Sequence, residues 1–493
     1  MKNKNGRRRR NKQSRDKAAD CNTAAGDRDS LSKLPDDLLL NILERVDTLD
    51  AIRTCILSKQ LLKFPKMLSH LFISVCSILC HHNPACEFGI RDILRISRAV
   101  ADVTDSILST RSPEITISKL KIRFILTDCD SVSIGNSVAR AMATQRVDAA
   151  EFEIAMEKTY DDCSPDDLLH FARKFNTFLG ACPDAFAGLT HLWLRNMRFG
   201  ELDIPIILST CKRLESLRLT LCDAGIHSVL QIEHDQLVEL MVNCGKFERI
   251  ELTCLPKLQR VSYINWTSSA NPLSFGFVPR LSKLSLTKAG TRSCKTLELS
   301  QLLADVPSIT CLHLDFQSEK IWVLPERPKL LTPVLRKLQQ VNLENVPEGC
   351  DFAWTMFILE AAPSLKDLCI TVWDHSCEIV EDKKLREQYG FCEKAEVKWK
   401  PYAPDFKHKN LVKLTIYGFQ PDRNFMRYIR RIAEVAVNMV EISLHDGKAC
   451  GRCGGLDRKI NGCPSRYPQT AEERKQTTEE LGLASPTMIH FRS

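Results

Sequence analysis

From Ser30 onward the chain carries two apolar periodicities in succession. Leu38, Leu39, Ile42, Leu43 and Val46 recur at steps of three and four, which lays one wide apolar stripe on a helix. Leu34-Pro35-Asp36-Asp37 opens that helix, with proline near its first turn and two carboxylates where the helix dipole favours them. A second short helix is expected from Asp50, a good N-cap, with Ile52, Cys55, Ile56 and Leu57 as its apolar side chains. Two helices of this size bury too little on their own, so the stripe needs a partner surface.

Beyond residue 110 the period becomes two. The template L-x-x-L-x-L, with any large apolar residue allowed, fits at 189, 214, 237, 247, 258, 281, 309, 338, 365, 411 and 439, and more weakly at 117 and 149. From 189 to 365 the steps are 25, 23, 10, 11, 23, 28, 29 and 27 residues. Most lie in the window of about 20–29 residues that defines leucine-rich repeats, and the two short steps predict strands joined by tight turns with no helix between them. Positions 1, 4 and 6 of each template point into a core, while positions 3, 5 and 7 leave by the opposite face. One repeat cannot bury its apolar side alone, so repeats stack into a solenoid. A regular repeat has Asn or Cys at position 9. Cys222 fits, but Met197, Gly245, Ala289 and Gln317 do not, so an irregular solenoid is expected. Between strands, Ser164-Pro165-Asp166-Asp167 predicts a helix start with Ser164 as N-cap and Asp167 closing a capping box.

Charge changes the picture only at one end. The 493 residues hold 69 Lys and Arg against 61 Asp and Glu, a formal charge of +8. Residues 1–17 alone carry nine basic side chains and one acid, so the remainder sums to zero. A neutral body with a basic tail makes nucleic acid an unlikely partner. Arg7, Arg8, Arg9 and Arg10 read either as a nuclear import signal or as a solvated tail, which places the protein in the nucleus, the cytoplasm or both. The most apolar stretch, residues 67–80, is 14 residues long, short of the roughly 18–20 that a bilayer requires, and no membrane association is expected.

Candidate chemistry is sparse. The 21 cysteines show no regular framework and follow no secretory signal, so reduced thiols are expected. Two clusters merit a zinc test, one of Cys76, Cys80, His81, His82 and Cys86, the other of His445, Cys450, Cys453 and Cys463. Neither has a matched second half at finger spacing, and no metal or cofactor is assigned. No phosphate-binding loop, nucleophile elbow or HExxH helix occurs, and no enzymatic activity is expected.

Residues Leu34 to Leu62 resemble an F-box: Leu-Pro, a helix with paired Leu and Ile-Leu, the turn Asp50-Ala51-Ile52-Arg53, then Leu57-Ser58-Lys59. Gln60 and Leu61 stand where that family has Arg-Trp. The segments 359–375, 411–419 and 424–446 resemble the FBD region that accompanies F-boxes in many plant proteins, with a charged insertion at 378–405 between them. The resemblance implies an α/β chain in which a small helical F-box precedes an irregular leucine-rich-repeat solenoid, a right-handed horseshoe. It implies docking on a Skp-type adaptor, and through it on a cullin, by Leu34, Pro35, Leu38, Leu39, Ile42, Leu43, Ile52, Leu57 and Leu61. The solenoid would then capture a protein substrate for ubiquitin transfer. The outward template positions assign His191, Trp193, Arg195, Arg218, Arg249, Arg260 and Tyr417 to the concave surface that would do so. The alternative is an interaction scaffold that assembles no ligase. The expected organisation is a disordered basic tail (1–29), the F-box (30–75), a helical linker (76–110), the solenoid (111–447, including FBD 355–447) and a flexible Gly- and Cys-containing tail (448–493).

Overall fold

The computed structural model describes residues 34–59, 61–79, 90–225, 227–267, 271–289, 296–347, 350–372, 384, 405–447, 466–483 and 488–492. The chain divides into two compact units, with the boundary after Leu68.

The first unit is helical. Helix Asp36–Leu43 follows Pro35, and helix Thr48–Ile56 is capped by Asp47, whose carboxylate accepts the Leu49 N–H at 2.9 Å. The cap is therefore Asp47 instead of Asp50. Asp50 lies in the first turn, where it pairs with Arg53 at 2.8 Å. A 3₁₀ segment, Leu61–Lys66, closes the unit, and Lys63 in it pairs with Asp36. Ala51, Cys55 and Phe64 are buried.

The second unit is a stack of parallel strands. In chain order the first are β1 (His70–Ser74), β2 (Ile117–Ile125), β3 (Val147–Ala155), β4 (His191–Arg195), β5 (Ser216–Thr220), β6 (Val229–Glu233), β7 (Glu239–Asn243), β8 (Arg249–Cys254) and β9 (Arg260–Trp266). They continue as β10 (Leu273–Phe277), β11 (Lys283–Lys288), β12 (Cys311–Asp315), β13 (Gln340–Val346), β14 (Asp367–Val372), β15 (Lys413–Tyr417), β16 (Glu441–His445) and β17 (Met488–Arg492). Fourteen of them form one sheet in the order β1-β2-β3-β4-β5-β7-β9-β11-β12-β13-β14-β15-β16-β17, and β10-β8-β6 form a second sheet.

This arrangement corrects three expectations. The solenoid begins at β1, inside the range read as F-box, so the F-box ends before residue 75. The described helix within 76–110 is no linker either, and residues 80–89 lie outside the described residues. Helix Ile90–Ser109 buries Ile93, Ile96, Val100 and Leu108, and its Asp105 accepts the Ser137 hydroxyl at 2.8 Å from the neighbouring helix Asp128–Thr144. Third, the stretch read as a tail carries a further repeat. Helix Ala471–Leu481 starts with a Thr470–Glu473 capping box, and β17 pairs along the whole of β16. The basic tail 1–29 and residues 448–465 lie outside the described residues.

The apolar template positions fill the space between sheet and outer layer. Phe124 and Phe152 on the sheet meet Phe178 and Phe186 from the covering helices, with ring centroids 5.0 to 6.2 Å apart. Trp266, Trp322, Phe316 and Trp354 do the same further along. Helix Pro165–Ala181 carries the expected Ser164–Asp167 capping box. Burial pushes the Cys211 and Cys222 thiols up to about 12, so these behave as small apolar side chains.

Many repeats enter their strand through the same turn. Leu214, Leu258, Leu281, Ile309, Leu338, Leu365 and Met439 donate their N–H to the carbonyl three residues back. Two repeats use a buried histidine there. His408 Nδ1 accepts the Leu411 N–H at 2.9 Å while Nε2 donates to the Ala362 carbonyl at 3.0 Å. His234 likewise accepts from Gln236 N at 3.1 Å and donates to the Cys211 carbonyl at 3.0 Å. The signal was present in the sequence as His-x-x-Leu-Val, at His234 to Val238 and His408 to Val412.

The chain leaves six of the strands, β4, β5, β7, β9, β13 and β15, in a left-handed turn at template position 8. Asn196, Leu221, Cys244, Asn265, Asn345 and Gly418 all have φ between 50° and 74° there. The irregular solenoid thus places its special turn residue one place earlier than position 9, and Asn fills it at three of the six turns because Asn tolerates that conformation.

Candidate adaptor-docking stripe and open sheet face

The helix Asp36–Leu43 has two apolar edges. Leu39 and Leu43, four apart, are 2% and 6% exposed, whereas Leu38 and Ile42, also four apart, are 49% and 44% exposed. Val46 continues the exposed edge. Leu57, at 85%, and Ile56, Leu62 and Met67 add apolar surface nearby in sequence. Pro35 is exposed, and Leu34 and Ile52 are half-buried. The assignment of Leu39, Leu43 and Leu61 to a partner surface is corrected, because all three are buried. A stripe five residues wide has room for a core edge and a contact edge, and the structure separates them.

The second candidate is the open face of the long sheet. His191, Trp193 and Arg195 occupy template positions 3, 5 and 7 of β4 and alternate with buried Leu192 and Leu194. In register, Trp193 lies between Glu153 of β3 and Arg218 of β5. The indole N–H donates to the Thr220 hydroxyl at 2.8 Å, and the Arg195 guanidinium stacks 4.0 Å from the ring centroid. Arg195 also reaches Glu153 at 3.2 Å, beside Lys121 at 3.3 Å and Arg123 at 3.1 Å. Arg218 and Arg260 share Glu239 at 3.4 and 3.3 Å. Burial raises the Glu239 pKa, but the Ser216 hydroxyl and the two guanidiniums outweigh it and hold the carboxyl below its ordinary value. Burial holds the His191 pKa below the usual histidine value.

Arg249 does not belong to this face. It lies on β8, in the three-stranded sheet, and pairs with Glu251. The template at 247 repeats the period-2 alternation of a sheet strand, and alternation carries no information about which of two sheets a strand joins. Tyr417 is on the face, stacked on His445 at 4.3 Å, but β15 lies eight strand spacings from β4, roughly 38 Å at ~4.8 Å each. The carboxylates Glu151, Glu153 and Glu239 were not anticipated. The signal for Glu151 and Glu153 was the weak templates at 117 and 149, where Lys119, Lys121 and Arg123 face them from the adjoining strand, and Glu239 holds outward position 3 of the template at 237.

Among the described residues no group of three or more His, Cys, Asp or Glu is placed to hold a metal ion. Of the two zinc candidates, only Cys76 and His445 fall within them, and Cys80 to Cys86 and Cys450 to Cys463 lie outside. No helix among the described residues is long and apolar enough to cross a membrane.

A helical unit with an exposed apolar edge, followed by a parallel-stranded α/β solenoid, defines an F-box and leucine-rich-repeat protein. The F-box domain family matches residues 31–72, and the family described as At1g61320/AtMIF1, LRR domain, matches residues 179–481. The chain belongs to the latter family, which covers more than half of it. It is also similar to the FBD-associated F-box protein At5g56370 of Arabidopsis thaliana, 23% identical over 363 residues that cover 69% of this chain and 74% of the relative. F-box domains generally bind Skp1-type adaptors, and F-box proteins generally serve as substrate adaptors of ubiquitin ligases without catalysis of their own.

Proposed function

We propose that this protein is the substrate-receptor subunit of a Skp–cullin–F-box ubiquitin ligase, working in the nucleus, the cytoplasm or both, with Arg7 to Arg10 as its import signal. The observation that carries the reading is the exposed edge formed by Leu38, Ile42 and Val46 in a unit matched to the F-box. Water contact with so much aliphatic surface is unfavourable, and an adaptor helix laid on it would remove that contact. The solenoid then holds a protein substrate beside the ubiquitin-charged enzyme, so the mechanism is raised effective concentration with no bond made or broken by this chain. Two experiments test it. Mixed with purified adaptor and cullin, the full chain should co-elute with both on size exclusion, and Leu38→Glu with Ile42→Glu should elute alone. Failure of the unaltered chain to co-elute would reject ligase assembly. A fluorescent fusion should move towards the cytoplasm when Arg7 to Arg10 become Ala, and identical distributions would reject the import role.

A further inference from the structure

The open face from β2 to β11 keeps its carboxylates low and its cations high. The Glu153 side chain is 3% exposed and Glu239 21%, whereas Arg218 is 37%, Arg260 44% and Lys119 54% exposed. The cations also outnumber the acids. Lys119, Lys121, Arg123 and Arg195 lean on Glu151 and Glu153, Arg218 and Arg260 share Glu239, and exposed Lys283 follows on β11. A partner approaching this face therefore meets guanidinium and ammonium groups first, with the carboxylates beneath holding them in place. Trp193 sits between the two clusters, oriented by its bond to Thr220 and flanked by Arg195 and by Arg218 at 5.9 Å.

Further along, acids come to outnumber cations on the same face. Asp315, Glu344, Asp367 and Glu441 stand at outward positions of β12, β13, β14 and β16, against Lys413 and Arg492, which both pair with Glu441 at 3.3 Å. A long polyanion laid along the sheet would run into these acids, which disfavours a nucleic-acid strand. A short anion fits. Six strand spacings separate β2 from β11, roughly 29 Å, the length of about nine residues of extended chain.

We propose that this half of the face binds a short acidic segment of a protein chain, carboxylates against Arg123, Arg218, Arg260 and Lys283, with one apolar side chain against Trp193. The inference rests on the substrate-receptor reading and gives the captured segment its chemistry. Charge complementarity of this kind supplies specificity and fast association, and it weakens with salt.

Fluorescence anisotropy on the full chain tests it, using a labelled nonapeptide of alternating Glu and Ala with a central Phe. The controls are the same peptide with Lys for Glu, and a single-stranded nine-thymidine oligonucleotide. The acidic peptide should bind at least tenfold tighter than either control, with affinity falling as salt rises. Arg218→Gln with Arg260→Gln should weaken it tenfold or more and Trp193→Ala at least fivefold. Lys329→Gln, exposed on the distant helix Pro328–Leu335, should leave it unchanged. If the double variant fails to fold, Lys283→Gln alone should still weaken binding at least threefold. Equal binding of acidic and lysine peptides, tighter binding of the oligonucleotide, or equal losses in Lys329→Gln would each overturn the inference. Adaptor binding measured on the same variants separates the two readings. Lost peptide binding with retained adaptor binding concerns only the face, and the reverse concerns only the proposed function.

Discussion

At the scale of single residues, the left-handed turn after each strand makes the sharpest demands. Gly418 has φ +74°, and a Cβ there would stand 1.9 Å from the Val372 carbonyl oxygen. Gly418→Ala should therefore cost at least about 2 kcal/mol in a denaturant titration, the strain of the conformation plus the displaced backbone. An unchanged midpoint would contradict a left-handed turn packed against Val372 at this position. Leu221 adopts φ +55° in the equivalent place, where other repeats have Asn196, Asn265 and Asn345. Leu221→Asn should stabilise by about 1 kcal/mol and raise the melting temperature. His234 and His408 supply a pH dependence. Burial lowers both pKa values, and each ring must stay neutral to accept at Nδ1. The unfolded chain then takes up protons first, so stability is complete above about pH 6.5 and declines as the pH falls below it. His191 and His445, also held low by burial, add in the same direction. Thermal melts at pH 7.5 and 5.5 should show the loss, and His234→Gln with His408→Gln should reduce it. A melting temperature that rises on acidification would contradict the assignment.

At the scale of elements, strands were legible wherever Leu-x-x-Leu-x-Leu appeared, because period-two alternation follows directly from a half-buried strand. Their grouping was not. The segments 237, 247 and 258 look alike, yet β7 and β9 are neighbours in the long sheet while β8 joins β6 and β10 on the other side. The steps of 10 and 11 residues, half a repeat each, were the available clue. In the helical unit, the apolar stripe was legible but its division was not. Spacing groups Leu38, Leu39, Ile42 and Leu43 on one side, and only packing turns Leu39 and Leu43 inward. At the far end β17 is not legible, because Met488 to Arg492 are five residues with a single apolar alternation, separated from β16 by Gly- and Cys-containing sequence. Its presence predicts that removing residues 466–493 leaves β16 as a bare edge. The truncated protein should melt lower and self-associate in analytical ultracentrifugation, since an unpaired strand edge templates further pairing. A monomer of unchanged stability would mean that β17 contributes nothing to the stack.

At the scale of the whole molecule, the chain joins a small helical unit that leaves an aliphatic edge uncovered to a solenoid whose repeats stack on their neighbours. Contacts in such a stack are local, so changes on the exposed edge of the first unit should leave the solenoid's melting unaltered. That separation makes the central claim measurable. Each fully buried aliphatic side chain contributes roughly 1.5–3 kcal/mol before the costs of association are subtracted. In a calorimetric titration of purified Skp-type adaptor into the full chain, Leu38→Ala with Ile42→Ala should weaken binding more than tenfold while the melting temperature stays unchanged. Leu39→Ala, in the buried edge, should instead lower the stability of the helical unit. An adaptor affinity unchanged by Leu38→Ala with Ile42→Ala would contradict the account.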